Sequence, residues 1–373
     1  MSLSRTLFVC VAVIAAGPVT ADDKPKPHAL TPKEIADGWL MLFDGETTFG
    51  WKIDGTAEVK NGELVLGGGK PTVAALSTIF GAYDLRMEAD GDATLAFRRG
   101  DGQARIELKS RSAVVNLSVR IDPAGARIET KLTTGPDKVV RYDAALVTTG
   151  PTELRVEVPA SDALRVKSVK LKPFGTKPLF DGKTLDGWKV FAGDPKRTAT
   201  KFEVTKDGEL SAKNGPGDIQ TVGQYADFVL QLECKTNGKA LNSGVFFRCI
   251  PDQYQNGYEA QIQNAYAGDD RTKPLDFGTG AIYRRVPARR VVSNDDEWFT
   301  LTLVAHGPHI ATWVNGYQAV DWTDDRKASD NPRQGLKTGK GHLSIQGHDP
   351  TTDLLFRNIR LAEILTAGAN KKE

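Results

Sequence analysis

The sequence is poor in most of the features that identify a protein class at first sight. It has only 3 cysteines and 5 histidines in 373 residues, and its net charge is +2, with 49 Lys and Arg against 47 Asp and Glu. Because the charges balance and no basic run is present, the sequence predicts no positive electrostatic field that would attract a nucleic acid or an anionic membrane surface. No apolar run reaches the ~20 residues of a membrane-spanning helix. Nucleic-acid binding and stable membrane insertion are therefore set aside.

One apolar stretch does lie near the N-terminus, at residues 7–16, after a single basic residue. Gly17 and Pro18 end it, and three residues later a charged segment begins. This arrangement predicts a signal peptide of residues 1–21, cleaved before Asp22. We expect the mature chain to be exported to the periplasm or secreted.

Two cysteines remain beyond that segment, Cys234 and Cys249, on successive strand-like stretches. They could form a disulfide across a hairpin in an oxidising compartment, or they could be two small buried apolar residues. Both hypotheses stay open, because a disulfide depends on geometry that sequence does not supply.

The chain contains one motif twice. LFDGETTFGWK begins at Leu42 and LFDGKTLDGWK begins at Leu179, an offset of 179 − 42 = 137 residues. Three further pairs of similar segments follow in the same order, among them KNGELV at Lys60 and KDGELS at Lys206. A period this long, present twice, indicates two similar domains and not a solenoid.

Short alternating segments such as DFVLQLECK, SGVFFRC and HIATWVNG lie between Gly, Asn, Asp and Pro, and helical periodicity is almost absent. The pattern predicts an antiparallel sandwich or jelly roll in each half. Asn315 and Gly316 between two alternating runs predict a type I′ hairpin turn. Pro and Gly in residues 172–178 mark a boundary, which predicts domains at 31–173 and 177–365.

Polar residues recur at every other position of three segments in the second half. They are Glu259, Gln261 and Gln263 on GYEAQIQN, His342, Ser344, Gln346 and His348 on GHLSIQGH, and Arg248 on NSGVFFRC. Amides offer donors and acceptors, and an Arg offers a fork of donors, which suits a hydroxyl-rich ligand. We therefore predict a sugar site on one face of a sheet.

The first half lacks most of this set. It has no histidine beyond His28, no counterpart of GHLSIQGHD, and Lys167 in the position of Arg357. Glu107 is the predicted counterpart of Glu259. We interpret the first half as a degenerate copy with a supporting or binding role.

Taken in order, LFDGKTLDGW, NSGVFFR, GYEAQIQN, TGAIY, VNG and GHLSIQGHD…LLFRNIRL resemble the 3-keto-disaccharide hydrolase domain family, over roughly residues 177–364. The resemblance implies a concanavalin A-like jelly roll, hence an all-β chain of two tandem jelly-roll sandwiches. It also implies action on glycosides whose C3 hydroxyl has been oxidised to a ketone. By position it points to Arg248, Glu259, Gln261, Gln346, His348 and Arg357, and its motifs contain Asn242 and Tyr283.

A ketone at C3 acidifies the C2 proton, so a base can remove it and the C1 substituent can leave by elimination, after which water adds. This route needs one base and an enolate stabiliser, not the paired carboxylates of ordinary glycosidases. The predicted catalytic residues are Glu259 and His348, and the predicted substrate-binding residues are Arg248, Gln261, Gln263, Gln346, Arg357, Tyr283 and Asn242. A divalent metal could hold the enolate oxygen, although no spaced His cluster predicts one.

The alternative hypothesis is a non-catalytic, lectin-like carbohydrate-binding protein, because a sandwich fold does not determine activity. The two hypotheses differ in whether Glu259 and His348 converge in one pocket, since a binding module has no need of a base there.

Overall fold

The computed structural model describes residues 29–99, 102–108, 113–122, 125–134, 138–146 and 152–364. The predicted signal peptide lies outside the described residues. A single short helix, α1 (Pro32–Ala36), precedes the first strand and is capped by Thr31. No helix in the described ranges is long and apolar enough to cross a membrane. The chain is nearly all β, as predicted.

The strands fall into a first and a second series of thirteen within the described residues. Those of the first half are β1 (Leu40–Met41), β2 (Trp51–Asp54), β3 (Ala57–Lys60), β4 (Glu63–Gly67), β5 (Thr72–Leu76), β6 (Tyr83–Asp90), β7 (Ala93–Arg99), β8 (Gly102–Leu108), β9 (Ala113–Asp122), β10 (Gly125–Thr134), β11 (Lys138–Leu146), β12 (Glu153–Val158) and β13 (Ala163–Pro173). Those of the second half are β14 (Lys177–Pro178), β15 (Trp188–Val190), β16 (Lys201–Val204), β17 (Leu210–Lys213), β18 (Gly217–Thr221), β19 (Phe228–Thr236), β20 (Ser243–Cys249), β21 (Tyr258–Ile262), β22 (Phe299–His306), β23 (His309–Val314), β24 (Tyr317–Thr323), β25 (His342–Gly347) and β26 (Asp353–Glu363).

Each half forms a larger and a smaller antiparallel sheet with the same strand order. The first half has β11-β10-β9-β6-β13-β4-β3, with β1 on β13, and β2-β5-β12-β7-β8. The second half has β24-β23-β22-β19-β26-β17-β16, with β14 on β26, and β15-β18-β25-β20-β21. The duplication seen in the sequence is therefore a duplication of the whole topology. No strand is shared between the halves, and the domain limits of 31–173 and 177–365 stay predictions.

The repeated motif makes the same contact in both copies. The indole Nε1 of Trp51 donates to the carbonyl oxygen of Leu42 at 2.5 Å, and that of Trp188 donates to Leu179 at 2.8 Å. The tryptophan thus ties the first strand of the smaller sheet to the segment that precedes it. Both copies of the motif therefore contain the leucine and the tryptophan that this hydrogen bond joins.

The core of the second half lies between its two sheets. Ile219, Val245, Ala260 and Ile345 of the smaller sheet pack there with Leu230 and other apolar residues of the larger sheet. Because successive strand residues point to opposite faces, the alternate residues of β18, β25, β20 and β21 form a second face, directed away from this core.

The two cysteines do not form a disulfide. Cys234 and Cys249 are free and buried, on β19 of the larger sheet and β20 of the smaller sheet. Burial raises the pKa of both thiols. The disulfide hypothesis is wrong because the two strands belong to opposite sheets and not to one hairpin, and both residues serve as small apolar side chains.

The predicted hairpin is confirmed, and it also touches the first half. Asn315 and Gly316 join β23 to β24 with φ values of 49° and 74°, as a type I′ turn requires. The amide of Met41 donates to the carbonyl oxygen of Gly316 at 2.8 Å. A Cβ at this glycine would collide with Leu30 and lie 2.9 Å from the carbonyl oxygen of Trp39.

We expect Gly316→Ala to lower the free energy of unfolding by about 2 kcal/mol, because it adds a left-handed alanine and a clash. Gly339→Ala is the matched control, since its φ is not positive and no atom lies within 4 Å of its added Cβ. Urea unfolding of both variants gives the comparison. Equal stability of the two would show that the turn tolerates a side chain.

Candidate functional site

The face directed away from the core carries two rows of side chains across the smaller sheet. Across β18, β25, β20 and β21 these are Gln220, Ser344, Phe246 and Glu259 in one row, and Asp218, Gln346, Gly244 and Gln261 in the next. Six of the eight are polar, and all six are buried. We call these eight residues the polar face.

Glu259 is the most unusual group of the polar face. Its side chain lies over Gly244, where a Cβ would sit 2.5 Å from the carboxylate oxygen Oε1. The residue is only 8% exposed, and no hydrogen bond or ion pair to its carboxylate is found among the described residues. Burial raises its pKa to about 8. Near neutral pH this carboxyl group therefore titrates, whereas an exposed glutamate would be fully ionised.

A cleft of about 250 Å³ opens above Glu259. Its walls include Tyr283 and Arg284 on one side and Arg333 on another. Arg333 donates from Nε to the carbonyl oxygen of Gln255 at 2.9 Å and lies over the ring of Phe246. The positive charges of Arg333 and Arg284 act against burial and lower the pKa of Glu259, while the charge of Asp276 raises it. The cleft thus places two cations around one buried carboxyl group.

Amides beside Glu259 are fixed by neighbouring acceptors. Gln261 Nε2 and Asn242 Nδ2 both donate to Asp276 Oδ2, at 3.0 Å and 2.8 Å. Gln346 Nε2 donates to Gln255 Oε1 at 3.1 Å. The oxygens Oε1 of Gln261 and Gln346 are buried and have no hydrogen-bond partner. Buried acceptors of this kind are normally completed by an enclosed water or by a ligand group.

Asp218 adds a buried carboxylate to the polar face, and the sequence did not single it out. Its Oδ2 accepts from Ser344 Oγ at 2.7 Å and from Gln220 Nε2 at 3.0 Å, and the backbone amide of Gln255 also lies against this carboxylate. Burial raises the pKa of this carboxyl group as well. The only sequence signal was the alternation of Asp218 and Gln220 around Ile219 in a segment of five residues.

Arg248 and Gln263 were predicted to bind substrate, and the structure assigns their polar groups to the protein itself. Arg248 is fully buried at a bulge with φ of 51°, and its guanidinium donates to three backbone carbonyls and to Asp227. Gln263 donates to the carbonyl oxygen of Ala240 and accepts from the amide of Ala265. Both hold loops in place, so we no longer include them in the site.

Arg357 lies on the other sheet. It pairs with Glu233 at 2.7 Å and stacks on Trp298 at 3.9 Å, on the face of β26 opposite to the core residue Phe356. The structure does not bring it to the polar face, because strand parity turns it away from the core on the sheet that does not carry that face.

His348 follows the end of β25, two residues after Gln346. Its side chain is 42% exposed, and Nδ1 lies 2.8 Å from Asp349 Oδ2. No contact joins it to Glu259 within the described part of the chain. The predicted convergence of the two groups is therefore not seen as a contact, and His348 lies just beyond the end of β25, outside the eight residues of the polar face.

Among the described residues, no group of three or more His, Cys, Asp or Glu side chains is arranged to hold a metal ion. The divalent metal suggested by the sequence has no such ligand set in these ranges.

The equivalent face of the first half has different chemistry. The register of β7 with β8 puts Arg105 in the position of Glu259, and Glu107 in the position of Gln261. Arg105 pairs with Glu157 at 2.6 Å. The predicted equivalence of Glu107 and Glu259 is wrong by two residues. The first half keeps the backbone of the site but has an ion pair where the second half has an unpaired carboxyl group.

Comparison with known proteins agrees with this division of the chain. Residues 175–362, just over half of the chain, match the family model described as the 3-keto-alpha-glucoside-1,2-lyase-like domain. No curated protein matches the chain. Among solved structures, two proteins of Parabacteroides distasonis ATCC 8503, provisionally classed as glycosyl hydrolases, are similar to it. They show 22% and 27% identity over 52% and 47% of this chain and 94% and 98% of theirs, with TM-scores of 0.42 and 0.35.

A carbohydrate-binding module of Bacillus subtilis, CBM66, is also similar, at 16% identity over 46% of this chain and 93% of the module, with a TM-score of 0.32. The chain belongs to the 3-keto-alpha-glucoside-1,2-lyase-like domain family through its second half. This membership supports a carbohydrate-active function.

The raised pKa of Glu259 predicts a pH-dependent stability difference. The folded protein keeps a proton that the unfolded chain loses above its ordinary pKa of 4.5, so folding is progressively destabilised as the pH rises towards about 8. Glu259→Gln cannot ionise and escapes this loss. We expect its free energy of unfolding, relative to wild type, to rise between pH 5 and 8 by up to about 1.4 kcal/mol per pH unit. The measurement is urea unfolding of both proteins at pH 5, 7 and 9. A difference in free energy of unfolding that does not change with pH would show that Glu259 is an ordinary carboxyl group.

Proposed function

We propose that the second half cleaves 3-keto-glycosides at the polar face, with Glu259 as the base. The observation that carries this proposal is the carboxyl group of Glu259, which is buried at a cleft without a partner and has a pKa near 8. A base is most effective when its pKa lies near the working pH, and such shifts cluster at catalytic sites. Family membership gives the substrate class.

The reaction begins when Glu259 takes the proton from C2, next to the C3 ketone. The electron pair of the C2–H bond forms the enolate, with the negative charge on the C3 oxygen. Collapse of the enolate breaks the bond from C1 to the aglycone oxygen, which takes up a proton and leaves as the alcohol. Water then adds at C1 of the unsaturated ketone while C2 regains a proton, and the balance is hydrolysis.

The arginines of the cleft supply the second requirement, a partner for the enolate oxygen. The charges of Arg333 and Arg284 stabilise the ionised form of Glu259. When the proton moves from C2 to Glu259, the negative charge moves to the enolate, and the same two arginines would stabilise it there. The buried oxygens Oε1 of Gln261 and Gln346 accept from the sugar hydroxyls through enclosed water. Tyr283 adds an aromatic wall.

His348 has a separate role in this proposal. An imidazole can act as a general acid, and His348 is exposed just after the end of β25, two residues beyond Gln346. From this position it would protonate the departing aglycone oxygen, while Glu259 acts at C2.

A carbohydrate-binding module remains the second candidate, and one observation favours it. Within the described residues no contact links His348 with Glu259, so the acid and the base are not preassembled. The amides of the polar face would serve binding equally well. A buried carboxyl group without a counter-charge is costly for a binding site, however, and gives it no advantage that a neutral glutamine would not give.

We expect Glu259→Gln to reduce turnover of a 3-keto-glucoside by about 10²-fold or more, because the isostere keeps the shape of the site and removes the base. For wild type, kcat/KM should rise with pH and level off above about 8. Glu203→Gln, at an exposed carboxylate on β16 of the larger sheet, is the control for the loss of a charge. Release of the aglycone is measured, with thermal melts alongside. Equal turnover by wild type and Glu259→Gln would leave only the binding hypothesis.

The role of His348 is tested through the leaving group. A sugar aglycone needs a proton to depart, whereas a nitrophenolate does not, so His348→Ala should slow the disaccharide by at least tenfold more than the nitrophenyl glycoside. A uniform loss on both substrates would assign His348 to binding or structure.

Export is proposed on the sequence of residues 1–21 alone. The mature N-terminus is expected at Asp22. N-terminal sequencing of periplasmic or secreted protein measures it, and recovery of exported protein with Met1 intact would contradict the cleavage.

A further inference from the structure

Residues 282–290, which we call the cleft segment, join the polar face to the first half of the chain. The segment begins beside the base, where the amide of Tyr283 donates to the carbonyl oxygen of Glu259 at 2.9 Å. A tight turn follows, in which Ile282 and Val286 exchange two backbone hydrogen bonds of 3.0 Å and 2.9 Å. Four residues of this turn, Ile282, Tyr283, Arg284 and Arg285, line the cleft.

The other end of the cleft segment is held by both halves. Within the second half, the amides of Ala288 and Arg289 donate to the carbonyl oxygens of Phe277 and Ala319 at 2.9 Å and 3.1 Å.

The side chain of Arg289 is held by the first half. Arg289 donates from Nη2 to Asp44 Oδ2 at 2.9 Å and to Thr47 Oγ1 at 3.0 Å. Its guanidinium also lies 4.1 Å from the ring centre of Phe49. Arg290 contributes a weaker pair with Glu46 at 3.6 Å. All four partners belong to the first copy of the repeated motif.

Asp44 is well arranged for this contact. Its Oδ1 accepts from the amides of Glu46 and Thr47 at 2.9 Å and 2.7 Å, and its Oδ2 accepts from the hydroxyl of Thr47 at 2.8 Å and from Arg289 at 2.9 Å. The side chain is only 10% exposed. A charge-assisted hydrogen bond that is largely shielded from water holds its geometry better than an exposed ion pair does.

The second copy of the motif shows that the turn does not by itself require such a partner. Asp181 accepts from the amides of Lys183 and Thr184 at 2.8 Å and 2.9 Å, as Asp44 does with its own neighbours. No basic side chain pairs with Asp181 among the described residues. Both copies of the motif thus form the same aspartate-capped turn, and only the turn of the first half contacts the cleft segment.

We propose that the Asp44–Phe49 turn is a positioning element for the polar face: by holding Arg289 it fixes the cleft segment, and with it Tyr283 and Arg284, above Glu259. This proposal rests on the proposed function, because it gives the first half a part in that reaction. The first half is then a support for the cleft, although it has an ion pair in place of the base at its own equivalent face.

The test is Asp44→Asn, with Asp181→Asn as the matched control. Both substitutions keep the oxygen that accepts the two turn amides, and only the first removes an interaction with the cleft segment. For Asp44→Asn we expect hydrogen exchange of residues 282–290 to become at least tenfold faster. With a 3-keto-glucoside we expect KM to rise about tenfold, and the midpoint of the pH profile to move upward as Arg284 loses its fixed place near Glu259. Asp181→Asn should match wild type in all three measurements.

Arg289→Gln should reproduce Asp44→Asn, and the double variant should be no worse than either single variant, because both remove one contact. Exchange of the cleft segment that stays at the wild-type rate in Asp44→Asn overturns the proposal, even if the melting temperature falls. Faster exchange with an unchanged KM and pH midpoint also overturns it. If wild type does not cleave the substrate, the proposed function fails, and faster exchange in Asp44→Asn alone then shows a mechanical link between the halves without a catalytic role.

Discussion

The carboxyl group of Glu259 is buried without an ion-pair partner among the described residues, and the chemistry of the polar face follows from that condition. Gly244 leaves the space that the side chain occupies, since any Cβ there would meet the carboxylate. Arg333 and Arg284 act on it from the walls of the cleft without forming an ion pair. A direct pair would lower the pKa and make the group a weak base, whereas full isolation would make it unable to ionise. The pKa near 8 reflects the balance of these two effects.

Two amides of the polar face also have buried polar atoms without a partner. Gln261 and Gln346 each have one polar atom tied to the protein and one buried oxygen without a partner. Tying one end fixes the orientation of the amide, so the free oxygen presents a defined acceptor. Unpaired buried oxygens cost stability, and they are retained most readily where a ligand or an ordered water completes them.

The two halves show how one backbone supports different chemistry. Their strand orders are identical, and both copies of the LFDG motif make the same turn and the same indole contact. At the position of Glu259, however, the first half has Arg105, paired with Glu157. The sheet provides positions and directions for side chains, and the residues at those positions decide whether the face can take a proton.

The sequence by itself determined the all-β fold, the duplication and the hairpin at Asn315 and Gly316, because each depends on local patterns: alternation, a repeated motif and a turn with positive φ. It also marked Glu259 and Gln261, since parity along one strand places them on one face. Tertiary structure alone decided the rest. A bulge at Arg248 and the choice of sheet for Arg357 removed both from the site, and strand pairing placed Cys234 and Cys249 on opposite sheets. Arg333 and Asp218 joined the site from distant segments. Burial, strand register and contacts between distant segments set these outcomes. None of these three properties can be read from residues that are adjacent in the sequence.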